Sequence, residues 1–327
     1  MNEPPVGLDE TEIVQALDEH WGIAARDLEH LAVGFGGWHW RVDAADSRCW
    51  FVTADKLDRG GHSLATDADD VFATLSAAYG TAVELRAAGL EFALAPVPTV
   101  IGLPLQRVSG QFALSVTPFL DGDSGPGGTW PDPQVESEVA AMAGRLHAVT
   151  PPAAVPRWEP GVPHRAELLQ AMRELERPWR GGPYSESARH AVAAAGVRVC
   201  DLLRRHDELF LPALAVPWAV THGEVHSANV LRTGDGRVLL VDWDTVALAP
   251  RERDLWSILP DTSHPAWPRY VAAYGDGTPP SVEGIELRKI WWATAEIAEY
   301  VCRFRRSHDG GADDDVAWKG LQGYLAG

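Results

Sequence analysis

The chain is poor in basic residues. Its 327 residues carry 28 Lys and Arg against 46 Asp and Glu, a formal charge of −18. Nucleic-acid binders need clustered cations to displace counterions, so this balance argues against such a partner. It suits a small cationic partner, and it also serves solubility. Cysteine is scarce too. Cys49, Cys200 and Cys302 are odd in number and far apart, with no CxxC pair, which points away from a disulfide framework or a thiolate zinc site and fits a reducing cytoplasm. No apolar run approaches a membrane span, and the acidic start MNEPPVGLDETE lacks the basic and apolar segments of an export signal. A cytoplasmic chain with no membrane partner is expected.

What remains is ordinary globular material, 46% hydrophobic and 23% charged, enough for two lobes with their own cores. Asp9 followed by Glu12 predicts a capped helix ending at Gly22. From Leu31 the alternation around a glycine cluster predicts three antiparallel strands. Asp67 to Ala88 has helical spacing, and VPTVIG and QFALSVTPFL read as further strands. The Gly/Pro-rich stretch 121–133 reads as a hinge or linker between an N-terminal lobe, 1–120, and a mainly helical lobe, 134–327. In the second lobe Val135 to Val149, Arg165 to Arg177, Ser185 to His206 and Leu287 to Arg306 are helical in pattern. Trp218 to Val220 and Val238 to Val241 are its clear strands, and the acidic 309–315 stretch reads as a loop. The fold class is α+β, a small antiparallel sheet with a helix joined to a larger helical lobe.

Between the apolar strands of the second half lies the densest polar chemistry, VTHGEVHSANVL and then RVLLVDWDTVALAPRERDLW. Glu224 and Asn229 stand five apart, and Asp242 follows a strand end. That is the layout of one base and two metal ligands for phosphoryl transfer, as in the protein-kinase catalytic loop with its later Asp. Asp244 is the second choice for a metal contact. His222, Glu224 and His226 also spell H-x-E-x-H, but the spacing is not HExxH, and the deaminase pattern needs a later P-C-x-x-C that the chain lacks. At GFGG, residues Gly34, Gly36 and Gly37 would let backbone amides approach a phosphate, although a tight turn explains the cluster equally well. Lys56 in TADK, on the strand face of Ala54, would emerge beside the phosphates as in V-A-I-K. Its helix partner would be Glu84.

The combination HGEVHSAN and VDWD resembles the aminoglycoside phosphotransferase family, small-molecule kinases of the protein-kinase-like fold, whose signature reads HGDxHxxN followed by D-W-[DE]. Here Glu224 replaces the usual Asp. The resemblance implies a bilobal kinase-like fold using ATP and Mg²⁺. It implies that Asn229 and Asp242 hold the metal and that Glu224 stands at the catalytic-base position. The backbone near Thr117 to Phe119 would bind adenine, and His222 and Asp254 would support the loop. The acceptor would be a hydroxyl of a small molecule, cationic ones included, such as an aminoglycoside or related antibiotic, bound by helices between 163 and 205 and beyond 287. A longer Glu arm leaves open a nucleotide-binding module without transfer activity.

Overall fold

The computed structural model describes every residue except 35, 58–63, 66, 129 and 131. Phe35 of the glycine cluster, most of the polar stretch after Lys56, and Thr129 and Pro131 of the expected hinge lie outside the described residues.

The first helix, α1 (Glu10–Trp21), starts as its sequence dictates. The Asp9 side chain accepts from the Glu12 amide at 2.9 Å, the Glu12 carboxylate accepts from the Asp9 amide at 3.0 Å, and Gly22 closes the helix at φ 64°. The strands β1 (Ala25–Leu31), β2 (Gly37–Ala44) and β3 (Cys49–Lys56) follow, then helix α2 (Ala68–Ala87) and strands β4 (Gln106–Val108) and β5 (Phe112–Pro118). They form one antiparallel sheet in the order β1-β2-β3-β5-β4. Strand alternation gives the sheet two faces. On one, Trp40, Val42, Trp50, Val52, Ala54, Leu114 and Val116 bury against Ile13 and Leu17 of α1. On the other, α2 meets the sheet through Tyr79, whose hydroxyl donates to Asp55 of β3 at 3.1 Å.

The second lobe adds β6 (Gly122–Ser124) and the helices α3 (Pro133–His147), α4 (Arg165–Arg173), α5 (Ser185–Ala194) and α6 (Gly196–Leu214). After these come β7 (Trp218–Thr221), a short 3₁₀ turn Ser227–Asn229, β8 (Val230–Thr233), β9 (Val238–Leu240) and β10 (Ala247–Pro250). The chain closes with α7 (Glu252–Ile258), α8 (Trp267–Tyr274), α9 (Val282–Arg305) and α10 (Ala312–Ala326). Two small sheets, β10-β7 and β6-β8-β9, carry the polar loops.

The 121–133 stretch contributes β6, paired with β8, and the Gly125 amide donates to the Ser227 carbonyl at 2.9 Å, which stitches it to the loop beyond β7. Three expectations are corrected. VPTVIG is not a strand, because its backbone is occupied by the 99–103 turn and by Val97 bonding Val116. The 185–206 helix breaks at Ala195, and Asp313 to Asp315 form the first turn of α10, where carboxylates favour the helix dipole.

Helix α3 crosses α8 at Gly144, where a Cβ would lie 2.7 Å from the Tyr270 carbonyl and 2.9 Å from the Ala273 methyl. Substituting Gly144→Ala therefore gains about 1 kcal/mol of helix propensity but loses ~1–3 kcal/mol to overpacking. Net destabilisation of Gly144→Ala in urea unfolding is the expected outcome; equal or greater stability would contradict this packing.

Candidate active site

The loop between β7 and β8 is fixed from behind by one carboxylate. Asp254, fully buried near the start of α7, accepts from the amides of His222 at 2.9 Å and Gly223 at 2.6 Å, and from the His147 ring at 3.0 Å. Burial alone would raise its pKa, but the His147 hydrogen bond and the neighbouring His147 and Arg253 hold it below the usual value. Gly223 has φ +100°, and a Cβ there would collide with the Arg253 guanidinium at 2.3 Å. Only glycine fits. That guanidinium donates to the Thr221 hydroxyl at 2.9 Å and the Thr245 carbonyl at 2.7 Å, while Arg288 of α9 donates to the Gly223 carbonyl at 2.7 Å. Burial lowers the pKa of both arginines, and Arg288 is pushed down to about 9.

His222 lies within the same hydrogen-bond network. Its Nε2 lies 2.9 Å from the Val241 carbonyl and its Nδ1 accepts from the Glu224 amide at 3.3 Å, so the network assigns the Nε2–H tautomer. Burial lowers its pKa, and it packs edge-on against Trp243. It therefore joins the loop to the 241–244 turn as a neutral ring.

The structure brings Glu224, Asn229, Asp242 and Asp244 together. The Asn229 amide nitrogen is engaged with the Glu224 carbonyl at 3.2 Å and the His226 ring at 3.4 Å, which leaves its side-chain oxygen as an acceptor. The Val241 amide donates to the Asn229 carbonyl at 3.0 Å and so fixes the spacing of Asn229 and Asp242. Asp242 has φ 64°, a left-handed backbone that Asp tolerates better than most residues and that clusters at functional sites. The charge of Asp244 comes first, with desolvation by neighbouring groups and then the charges of Glu224 and Asp55 after it, in pushing the Asp242 carboxyl well above the usual range, although the residue as a whole is exposed. An amide oxygen beside crowded carboxylates is the donor set of a hard divalent cation, whose charge would remove the repulsion. These residues fit Mg²⁺. Among the described residues no group of three His, Cys, Asp or Glu is close enough to hold a metal by itself.

In the N-terminal lobe, Gly34 and Gly36 have φ of +69° and +100°, conformations that favour glycine. Gly37 opens β2 opposite Asp55. The Met1 ammonium donates to the carbonyls of Val33, Gly34 and Gly37 at 3.0, 3.2 and 3.1 Å. Thr117 pairs with Phe51, and the Phe119 amide donates to the Cys49 carbonyl at 3.0 Å, so both stand at the end of β5 toward the second lobe.

Lys56 shares a face with Ala54, the face covered by α1, while its alternate, Asp55, lies on the opposite face, within reach of the Asp244 charge. Glu84 is exposed on α2, and no ion pair joins it to Lys56 among the described residues. Sequence reasoning missed Asp55, Tyr79, Arg253 and Arg288. The V-x-A-D spacing of Val52 to Asp55 was a signal for the first.

The sequence profile of the phosphotransferase enzyme family matches residues 42–309. The chain belongs to that family. As a family member it is a small-molecule kinase. It is 29% identical over 309 residues to Protein StrN of Streptomyces griseus, a match that covers 91% of this chain and 86% of that protein. Its fold is similar to spectinomycin phosphotransferase solved with ADP and spectinomycin, with a TM-score of 0.70 at 15% identity over 98% of this chain and 94% of that one. It is also similar to choline kinase from Streptococcus pneumoniae, with a TM-score of 0.53 at 16% identity, covering 97% and 98%. The protein-kinase-like architecture is thus established for the chain, and no helix among the described residues is long and apolar enough to cross a membrane.

Within this kinase the Asp55 carboxyl is half-buried, and its desolvation together with the Asp244 charge raises its pKa to about 7. A raised acid pKa means that the folded state holds the proton longer, so stability falls as pH rises from about 4 to 7 and the cost is complete above pH 7. In metal-free buffer Asp55→Asn should be ~1–3 kcal/mol more stable than wild type at pH 8 and nearly equal at pH 4. A pH-independent difference in thermal unfolding would contradict this.

Proposed function

We propose that the chain is an ATP- and Mg²⁺-dependent O-phosphotransferase acting on a hydroxyl of a small molecule, cationic ones included, such as an aminoglycoside or related antibiotic. The observation that carries this reading is the joint placement of Glu224, Asn229 and Asp242 on a loop pair anchored by buried Asp254. Phosphoryl transfer needs little covalent chemistry from the protein, so positioning and charge neutralisation dominate. Asn229 and Asp242 would hold Mg²⁺, with Asp244 as a second contact. The cation, when bound, neutralises charge on the phosphoryl oxygens. Glu224 orients the acceptor hydroxyl and takes its proton. Its arm is one methylene longer than Asp, which matches an acceptor hydroxyl set farther from the loop. Gly34, Gly36 and Gly37 cover the nucleotide in residues 1–120, the 121–133 segment links the lobes, and the end of β5 at Thr117 to Phe119 receives the base.

The acceptor side lies in residues 134–327. Trp291, Tyr300 and Phe304 are core residues, at 3%, 7% and 0% exposure. Trp292 and Glu296 are partly exposed on α9, and the Trp292 ring nitrogen donates to the Tyr324 hydroxyl at 2.8 Å. Burial raises the Tyr324 pKa and the charges of Glu296 and Glu224 raise it further, so aromatic rings and carboxylates share this region of the second lobe. Rings with carboxylates favour cationic ligands. That spectinomycin phosphotransferase was solved with ADP and spectinomycin supports a nucleotide and a small antibiotic as reactants.

The test is acceptor-dependent ADP release over a panel of hydroxylated amines and antibiotics. Wild type should turn over, Asp242→Ala should lose at least ~100-fold in kcat, and Glu224→Gln should lose about tenfold to 100-fold. Full activity of purified Asp242→Ala would sink the metal assignment. Mg-ATP stabilisation without release for any acceptor would favour the silent nucleotide-binding module.

A further inference from the structure

We infer that Asp55 is the β3 residue that faces the nucleotide phosphates, and that it makes nucleotide binding depend on a divalent cation. The inference rests on the phosphotransferase reading above. Three observations place the carboxylate. Asp55 pairs with Gly37 across the β2–β3 ladder, and a Cβ built on Gly37 would lie 3.5 Å from an Asp55 oxygen, so the carboxylate sits at the root of the glycine loop. The Tyr79 hydroxyl holds its other oxygen at 3.1 Å from the side of α2. The charge of Asp244 also acts on Asp55 and that of Asp55 on Asp242, so the carboxylate lies within electrostatic reach of the metal turn. A group between glycine loop and metal turn stands where the phosphates belong.

Its charge is the reverse of what phosphates attract. In protein kinases the strand corresponding to β3 presents a lysine to the phosphates, at the fourth residue of V-A-I-K. Here the fourth residue of Val52-Thr53-Ala54-Asp55 is acidic, and Lys56 stands on the other face. A carboxylate held against a polyphosphate repels the free anion. A divalent cation bound with the nucleotide removes that repulsion and gives the carboxylate a counter-charge. The residue would therefore discriminate the metal complex of the nucleotide from the free nucleotide, a task for which a lysine is unsuited because it attracts both.

The experiment is calorimetric titration of ATP into the full chain at pH 8, where Asp55 is ionised, once with MgCl₂ and once with EDTA. Wild type should bind the Mg²⁺ complex at least about tenfold more tightly than ATP in EDTA. Asp55→Asn, close in shape and neutral, should shrink that ratio about tenfold, mainly by tightening ATP in EDTA, and Asp55→Lys should shrink it further. If Asp55→Lys fails to fold, Asp55→Asn decides. An unchanged ratio in the variants overturns the role of Asp55 and leaves the phosphotransferase reading standing. If wild type binds no nucleotide in either buffer, that reading falls. A gain of ATP binding by Asp55→Lys would then still support Asp55 at the phosphates, and no gain would overturn it.

Discussion

The fully buried carboxylate of Asp254 is the contact on which the site depends. A charge placed in the interior costs several kcal/mol unless every lone pair is used. Here three donors meet it: the amides of His222 and Gly223 and the His147 ring, which itself reaches the Tyr270 hydroxyl. Those contacts connect α3, α7, α8 and the β7–β8 loop. Because the loop's backbone is fixed from the protein side, its outward groups are left for chemistry. The glycine at 223 follows from the same constraint, since Arg253 fills the space any side chain would need.

A second consequence is electrostatic. With two buried guanidiniums behind the loop, acidic groups can gather in front of it. Glu224, Asp242, Asp244 and Asp55 converge, and mutual repulsion with desolvation raises the carboxyls of Asp242 and Asp55. Such an arrangement is costly without a cation, and a bound cation would relieve it. The left-handed backbone at Asp242 belongs to the same economy, because local strain persists only where the surroundings hold it in place.

Much of this was legible in the sequence. The Asp9 and Glu12 capping box specified α1 because its bonds are local, and the HGEVHSAN and VDWD segments announced the site because their residue types and spacing are themselves the chemistry. Strands β8 and β10, four residues each, were hidden because short strands at a polar loop lack enough alternation to register. Asp55 shows the sharper limit. Alternation along Val52 to Lys56 separates two faces, but which face looks into the cleft is decided by α1 and α2, elements distant in the chain. Arg253 and Arg288 escaped for a related reason. A buried arginine is recognised by its partners, here the Thr221, Thr245 and Gly223 groups, and those are set by the fold.

Transfer of a phosphoryl group by these loops to a small hydroxyl acceptor is tested by mass spectrometry of an acceptor panel incubated with Mg-ATP and the purified chain. One acceptor should gain the mass of a phosphoryl group with wild type and gain none with Asp242→Ala. An adduct formed equally by both would contradict the site, and no adduct on any hydroxylated compound while Mg-ATP binds would contradict the transfer itself.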